Sequence, residues 1–211
     1  MFTGIIEEIG EITAVRNLTD QIEMKIRADK ILENLKVSDS INIDGVCQTV
    51  VNIANKEFTI QAVGETLTKT TMGNFHRDRK VNLERSLRLD SRLGGHFVQG
   101  HINGIGSISK IIKRSDNYYF EITIPENLIK YCAPEGSIAI DGISLTIAQI
   151  KKNIVGISVI PYTFNHTTLN LKSTGEMVNI ETDILARQME QLISKKENSD
   201  LSMEKLINWG Y

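Results

Sequence analysis

Along this chain, apolar and polar positions alternate in short runs instead of forming helical stripes. β-Branched residues dominate Ile9–Val15, Gln21–Ile26, Ser40–Ile43, Thr49–Ile53, Phe58–Val63 and Val81–Glu84. They dominate again in Ile105–Ile112, Tyr118–Ile124, Ser137–Ile140, Leu145–Ile150, Ile154–Ile160 and Met177–Glu181. Runs of this length, bounded by turn residues, read as strands with one face buried. Asp44-Gly45 and Asp141-Gly142 lie between such runs, a strong hairpin signal because both residues tolerate the positive φ of a tight turn. Two short helices are expected, Ala28–Asn34 and Pro125–Cys132. Pro125 suits a first-turn position, where no backbone N–H is needed.

The runs fall into two matching sets. Ile41–Val50 overlies Ile138–Ile147 at an offset of 97, and the same offset lays Glu65–Met72 over Tyr162–Leu169 and Val81–Glu84 over Val178–Glu181. Near the start the offset slips by one: Gly4-Ile5-Ile6 meets Gly100-His101-Ile102, and Gly10 meets Gly106. The chain is therefore two copies of one domain. Two copies are too few for a solenoid, so each must close on itself. Six strands in a little under 100 residues favour a small barrel, which leaves no exposed edge. The expected fold is mainly β: two homologous six-stranded, Greek-key-like barrels in tandem (1–95 and 96–185), plus a C-terminal helical tail (186–211). In the tail, Ile184, Leu185, Gln188, Met189, Leu192 and Ile193 follow helical spacing. After a polar break at Lys195–Ser199 a second stretch carries Leu201, Leu206, Ile207 and Trp209. A helix outside two complete barrels must bury its stripe somewhere, and the tail is read as an oligomerisation element.

Composition narrows the function. With 24 Lys+Arg against 26 Asp+Glu and a net charge of −2, a nucleic-acid or anionic-membrane binder is not expected. No apolar run approaches the roughly 20 residues of a membrane span, and Met1–Glu8 lacks the basic start of a signal peptide. Two cysteines make neither a disulfide framework nor a zinc cluster. A cytoplasmic protein is expected. Arg85, Arg88 and Arg92 lie in the segment joining the copies, but Glu84 and Asp90 interrupt them, so they read as a solvated linker.

Chemistry enters where the copies differ. Ile5 becomes His101, Cys47 becomes Ser144, Gln48 becomes Leu145, Glu65 becomes Tyr162 and Ser86 becomes Asp183, while Thr49/Thr146 and Thr66/Thr163 are kept. Both copies thus offer similar hydroxyls around different acid–base groups, the arrangement needed to hold two similar molecules in different roles; drift after duplication would leave the same differences. Cys47 reads either as a nucleophile or weak acid, or as a small buried hydrophobe. His96 and His101, five apart, share a face on neither a strand nor a helix, so no metal site is expected. Gly94-Gly95, Gly100 and Gly104-Ile105-Gly106 lack a phosphate-loop context and are read as turns and close approaches.

At these residues the sequence resembles a known family. Met1-Phe2-Thr3-Gly4-Ile5-Ile6-Glu7, then Asn82-Leu83-Glu84-Arg85 followed by Leu93–His101, and Asp141-Gly142-Ile143-Ser144-Leu145-Thr146 are similar to the signatures of riboflavin synthases of the trimeric kind with two lumazine-binding domains. The resemblance implies dismutation of two 6,7-dimethyl-8-ribityllumazine molecules by transfer of a four-carbon unit, giving riboflavin and 5-amino-6-(D-ribitylamino)uracil. It implies no cofactor, since the pteridine acidifies its own C7 methyl, and a homotrimer with sites between subunits. It places substrate-binding segments at Gly4, Ile5, Ile6, Cys47, Gln48, Thr49 and Gln61, Ala62, Val63, Gly64, Glu65, Thr66 in the first copy. In the second they are Gly100, His101, Ile102, Ser144, Leu145, Thr146 and Ser158, Val159, Ile160, Pro161, Tyr162, Thr163, with Glu135 also at a ligand-facing position. Proton transfer or nucleophile activation would fall to His101 and Cys47, supported by Ser144 and Asp183. Three positions depart from the family pattern: Glu135 stands at a usual lysine, Gln48 at a usual leucine and Gln99 at a common serine. The rival class is a relative that binds lumazine or riboflavin without turning it over.

Overall fold

The computed structural model describes residues 1–197. The first copy runs β1 (Glu8–Asn17), β2 (Gln21–Arg27), β3 (Ser40–Ile43), β4 (Val46–Ala54), β5 (Glu57–Val63), helix α1 (Gly64–Lys69) and β6 (Lys80–Arg85). The second runs β7 (Gly104–Arg114), β8 (Asn117–Thr123), β9 (Ser137–Ile140), β10 (Ile143–Lys151), β11 (Ile154–Val159), helix α2 (Pro161–Asn165) and β12 (Met177–Thr182), and helix α3 (Ile184–Glu197) follows. Every strand pair is antiparallel. The first six strands close a barrel in the order β1-β2-β5-β4-β3-β6, and the last six close one in the equivalent order. Strands β3, β4 and β5 are hairpin-connected, and β6 returns beside β3, which is a Greek key.

Alternation along the strands builds two separate cores. On β4, Val46, Gln48 and Val50 point inward while Thr49 and Val51 face solvent. Phe58, Ile60 and Met24 fill the first barrel and Phe120, Ile138 and Ile157 the second. The duplication extends to irregularities of the backbone. The register breaks at Ile12/Ala14 and Val50/Asn52, and again at their mates Ile108/Lys110 and Ile147/Gln149. Such bulges supply the strong coiling that a narrow barrel requires. Positive φ recurs at Ser38 and Glu135, and at Asp44 and Asp141.

The two expected helices shrink. Ala28–Asn34 keeps one 3-10 turn, Ile31–Glu33, because the Glu8 carboxylate accepts the N–H groups of Asp29 and Ile31 and fixes the chain there. Pro125–Cys132 is a 3-10 segment, Glu126–Tyr131, with Pro125 at its cap instead of inside its first turn. Helices α1 and α2, too short to show a periodicity, follow β5 and β11 at matching places. Residues 86–95 form no regular element; Arg85 instead ends β6 and is partly buried on the Glu7 carboxylate, while exposed Arg88 pairs with Asp90. The second tail stretch, with Leu201 to Trp209, lies outside the described residues. Among those described, no helix is long and apolar enough to cross a membrane.

Candidate functional site

The barrels meet through their equivalent hairpins. Gly45 and Gly142 approach so closely that a Cβ on Gly142 would lie 2.7 Å from the Gly45 nitrogen. The amides of β6 and β12 cross reciprocally. Asn82 donates to the Asp141 carbonyl (3.0 Å) and accepts from the Thr168 N–H (2.8 Å), while Asn179 donates to the Asp44 carbonyl and accepts from the Thr71 N–H (both 2.8 Å). Beneath them Asp44 and Asp141 are fully buried and each accepts one backbone N–H at 2.7 Å. Lys172 reaches Asp141 at 2.8 Å and Arg79 stands 3.5 Å from Asp44. Burial, with the Asp141 charge beside it, pushes Asp44 well above the usual carboxylate range.

This seam brings about a crossover. The segment leading into each barrel lies against the other barrel. Phe2 and Val98 pair as an antiparallel bridge. From there the first lead-in sets the Gly4 carbonyl on the Ser144 N–H (2.8 Å), and the second sets the Gly100 carbonyl on the Cys47 N–H (2.9 Å). Ile6 packs with the second core and Ile102 with the first. The sequence groups Gly4-Ile5-Ile6 with Cys47, and Gly100-His101-Ile102 with Ser144; the fold exchanges these partners.

Two related sites result. At one, Cys47 on β4 faces Gly100, with His101 next in the chain and exposed. Burial pushes the Cys47 thiol up, so it is a protonated thiol at neutral pH and not a ready thiolate. At the other, Ser144 on β10 lies 2.7 Å from His96 Nδ1, below Gly4. Burial holds His96 below the ordinary histidine range, with Asp183 pulling the other way, so a neutral imidazole faces the hydroxyl. In the tautomer with Nδ1 free, Ser144 donates to His96, a nucleophile–base arrangement. Asp183 also accepts the Leu185 N–H at the start of α3 (2.9 Å).

Of the other sequence candidates, Ile5, Thr49, Gln61, Val63, Gly64, Glu65, Thr146, Ser158, Ile160, Pro161 and Tyr162 are exposed, and Thr66 and Thr163 are partly so. Gln48, Ala62, Leu145 and Val159 point into the barrels, leaving mainly their backbone for a ligand. Gln48 satisfies its amide on the Cys47 carbonyl (2.8 Å), which is how a polar residue is held among apolar neighbours. Glu135 is exposed on a turn that the Gly136 N–H closes on the Ala133 carbonyl, and its own N–H ties the turn to the Ile147 carbonyl of β10. After β5 and β11 the copies diverge again: Glu65 pairs with Lys69, whereas Tyr162 stacks on His166. His96 has no counterpart in the first copy, and its partner Ser144 is 48 residues away, so spacing along the chain does not mark it. Two buried carboxylates, Glu84 and Glu181, are shared by both copies and so read as framework. Each holds a lead-in: Glu84 accepts from the Thr3 N–H and hydroxyl and the Gly4 N–H, Glu181 from the N–H groups of Gln99, Gly100 and His101.

The lumazine binding domain model matches twice, over residues 3–86 and 99–183. The chain is 37% identical to riboflavin synthase of Actinobacillus pleuropneumoniae over the full length of both, and 37% identical to that of Bacillus subtilis over 92% of this chain and 91% of that one. The chain belongs to the riboflavin synthase family. Within this riboflavin synthase family member the two domain matches fall on the two barrels, so the repeat and the crossover are features of a pair of lumazine-binding domains. Solved structures with the same fold include LumP complexed with riboflavin (TM-score 0.81, 29% identity) and with 6,7-dimethyl-8-(1'-D-ribityl) lumazine (0.79, 28%), each covering 86% of this chain and 99% of that chain.

Proposed function

We propose that this chain is a riboflavin synthase that converts two molecules of 6,7-dimethyl-8-ribityllumazine into one riboflavin and one 5-amino-6-(D-ribitylamino)uracil. A four-carbon unit leaves one lumazine and joins the other, so atoms balance with nothing added and no cofactor. The observation that carries the reading is the pair of repeat-related sites with unlike chemistry, Cys47 with His101 and Ser144 with His96, as a reaction between two identical molecules in different roles requires. The exposed threonines, Gln61 and Ser158 would meet the ribityl chains, and strand backbone would read the pteridine edge. His101 and the Ser144–His96 pair would move protons at the C7 methyl and at the acceptor, with Asp183 tuning His96 and the Cys47 thiol serving as hydrogen-bond donor. Holding two substrates together supplies much of the acceleration of a bimolecular step.

The two sites are to face each other between subunits of a homotrimer, the first barrel of one against the second barrel of another. Leu185, Met189, Leu192 and Ile193 leave an apolar face of α3 open, which supports self-association. Two free cysteines suit the cytoplasm. The test is incubation of the protein with 6,7-dimethyl-8-ribityllumazine alone, following riboflavin fluorescence. Growth of the flavin signal supports the enzyme. The likeness to ligand-bound LumP favours a second reading, binding without turnover, and tight binding with no riboflavin would establish it in place of the first. Sedimentation at a mass well below three chains would contradict the trimer.

A further inference from the structure

We propose that Glu181 is a positioning residue of the Cys47–His101 site: its buried carboxylate accepts three successive backbone N–H groups and so clamps the second lead-in across Cys47. This rests on the riboflavin synthase reading above. Glu181 is near the end of β12, 2% exposed. Its Oε1 accepts from Gln99 N–H at 2.6 Å, and its Oε2 from Gly100 N–H at 2.9 Å and His101 N–H at 3.1 Å. The same segment turns its Gly100 carbonyl to the Cys47 N–H at 2.9 Å. A carboxylate from the second barrel therefore fixes the backbone of Gly100, which lies on Cys47 of the first barrel, and of the histidine that follows it. Charge-assisted bonds of this length are among the stronger hydrogen bonds, and three on adjacent amides leave the Cα of His101 little freedom.

The first copy shows what is particular to this clamp. There the Thr3 hydroxyl relays, donating to Glu84 at 2.7 Å and accepting the Ile5 N–H at 3.2 Å. Gln99 holds the place of Thr3 and supplies no hydroxyl, so Glu181 takes the third N–H, that of His101, directly. The charged and titratable side chains that face Glu181 are Arg187 from α3 and the Cys47 thiol from β4; His101 of the lead-in meets it through its backbone N–H. Burial lifts Glu181 to about 7. Protonation makes the carboxyl group neutral and puts a hydrogen on one of the two oxygens that accept these amides, so the charge-assisted character of all three bonds is lost.

The experiment compares the wild type with Glu181→Gln and Gln99→Thr. An amide in place of the carboxylate turns an NH2 toward the N–H donors. Loosening of the segment on the ångström scale is expected to lower kcat about 10- to 100-fold with KM nearly unchanged. Gln99→Thr, which rebuilds the hydroxyl relay, is expected to keep kcat. In the wild type, the amide proton resonances of Gln99, Gly100 and His101 are expected downfield and to shift together as pH falls through about 7, with kcat falling in step. A kcat for Glu181→Gln equal to wild type overturns the proposal. So do amide resonances that stay fixed from pH 5.5 to 8.5, a readout that needs no variant to fold. Absence of riboflavin from the wild type would instead overturn the underlying reading, and leaves the amide test in place to judge the clamp.

Discussion

Gly100→Ala probes the crossover directly. Gly100 has φ of +79°, and a Cβ there would lie 2.5 Å from Cys47 Cβ and 2.7 Å from Cys47 N. The left-handed backbone alone costs an alanine about 1–2 kcal/mol. Real atoms do not approach to 2.5 Å, and the neighbour is partly backbone, so the lead-in must move off β4; overpacking of this kind costs about 1–3 kcal/mol more. Gly175→Ala separates the two contributions. Gly175 has φ of +93° with nothing within 4 Å of the added carbon, and its mate in the first copy, Asp78, holds φ of +70° with a side chain. It should lose only the backbone contribution. Urea unfolding is expected to give a destabilisation of about 2–5 kcal/mol for Gly100→Ala and about 1–2 kcal/mol for Gly175→Ala. Riboflavin formation should fall about 100-fold in the first and hardly at all in the second, because a 1 Å displacement separates Cys47 from His101. Equal destabilisation and equal turnover in the two variants would refute the argument that the lead-in is pressed on Cys47.

Further outcomes follow from the same contacts. Lys172→Met leaves the Asp141 carboxylate buried without its cation and should cost about 3–5 kcal/mol in urea unfolding; a loss under about 1 kcal/mol would mean that Arg79 alone neutralises the pair. Cys47→Ser should retain most of the turnover, since the thiol is protonated and its repeat mate Ser144 shows that a hydroxyl fits there; a thousandfold loss would restore a thiolate role. Glu181, lifted from 4.5 to about 7, binds its proton more tightly in the folded chain than in the unfolded one. Its contribution to stability is therefore greatest below pH 4.5 and declines as pH rises toward 7, by about 3 kcal/mol in all. Burial of Asp44 acts with the same sign. Comparing urea midpoints between pH 5 and 8 for the wild type and Glu181→Gln should show a flatter dependence in the variant.

How much of this was legible in the sequence depends on the range of the contact. The strands were legible because alternation is local: Ser40–Ile43 and Ser137–Ile140 match their elements, and the other ten differ by a few residues at the ends. Barrel closure followed from the repeat, since one domain with six strands must cover its own edges. The helix expected at Ala28–Asn34 failed because a carboxylate from β1, Glu8, decides where that chain turns, and no window of sequence contains both. The candidate site was legible in its residues but not in its partners. Comparing copies finds what differs, such as Cys47 against Ser144, and is blind to what they share. Glu84 and Glu181 are identical in both, and the exchange of lead-ins is symmetric, so neither leaves a trace in the comparison. His96 became visible only when the fold placed it 2.7 Å from Ser144, 48 residues away.

The central claim is that two unlike sites hold two identical molecules and pass carbon between them. Chromatographic quantification along the progress curve, from 6,7-dimethyl-8-ribityllumazine alone, tests it most directly. The account predicts that each riboflavin formed is matched by one 5-amino-6-(D-ribitylamino)uracil and by two lumazines consumed. Riboflavin without the uracil product, or bound lumazine recovered unchanged, would contradict it.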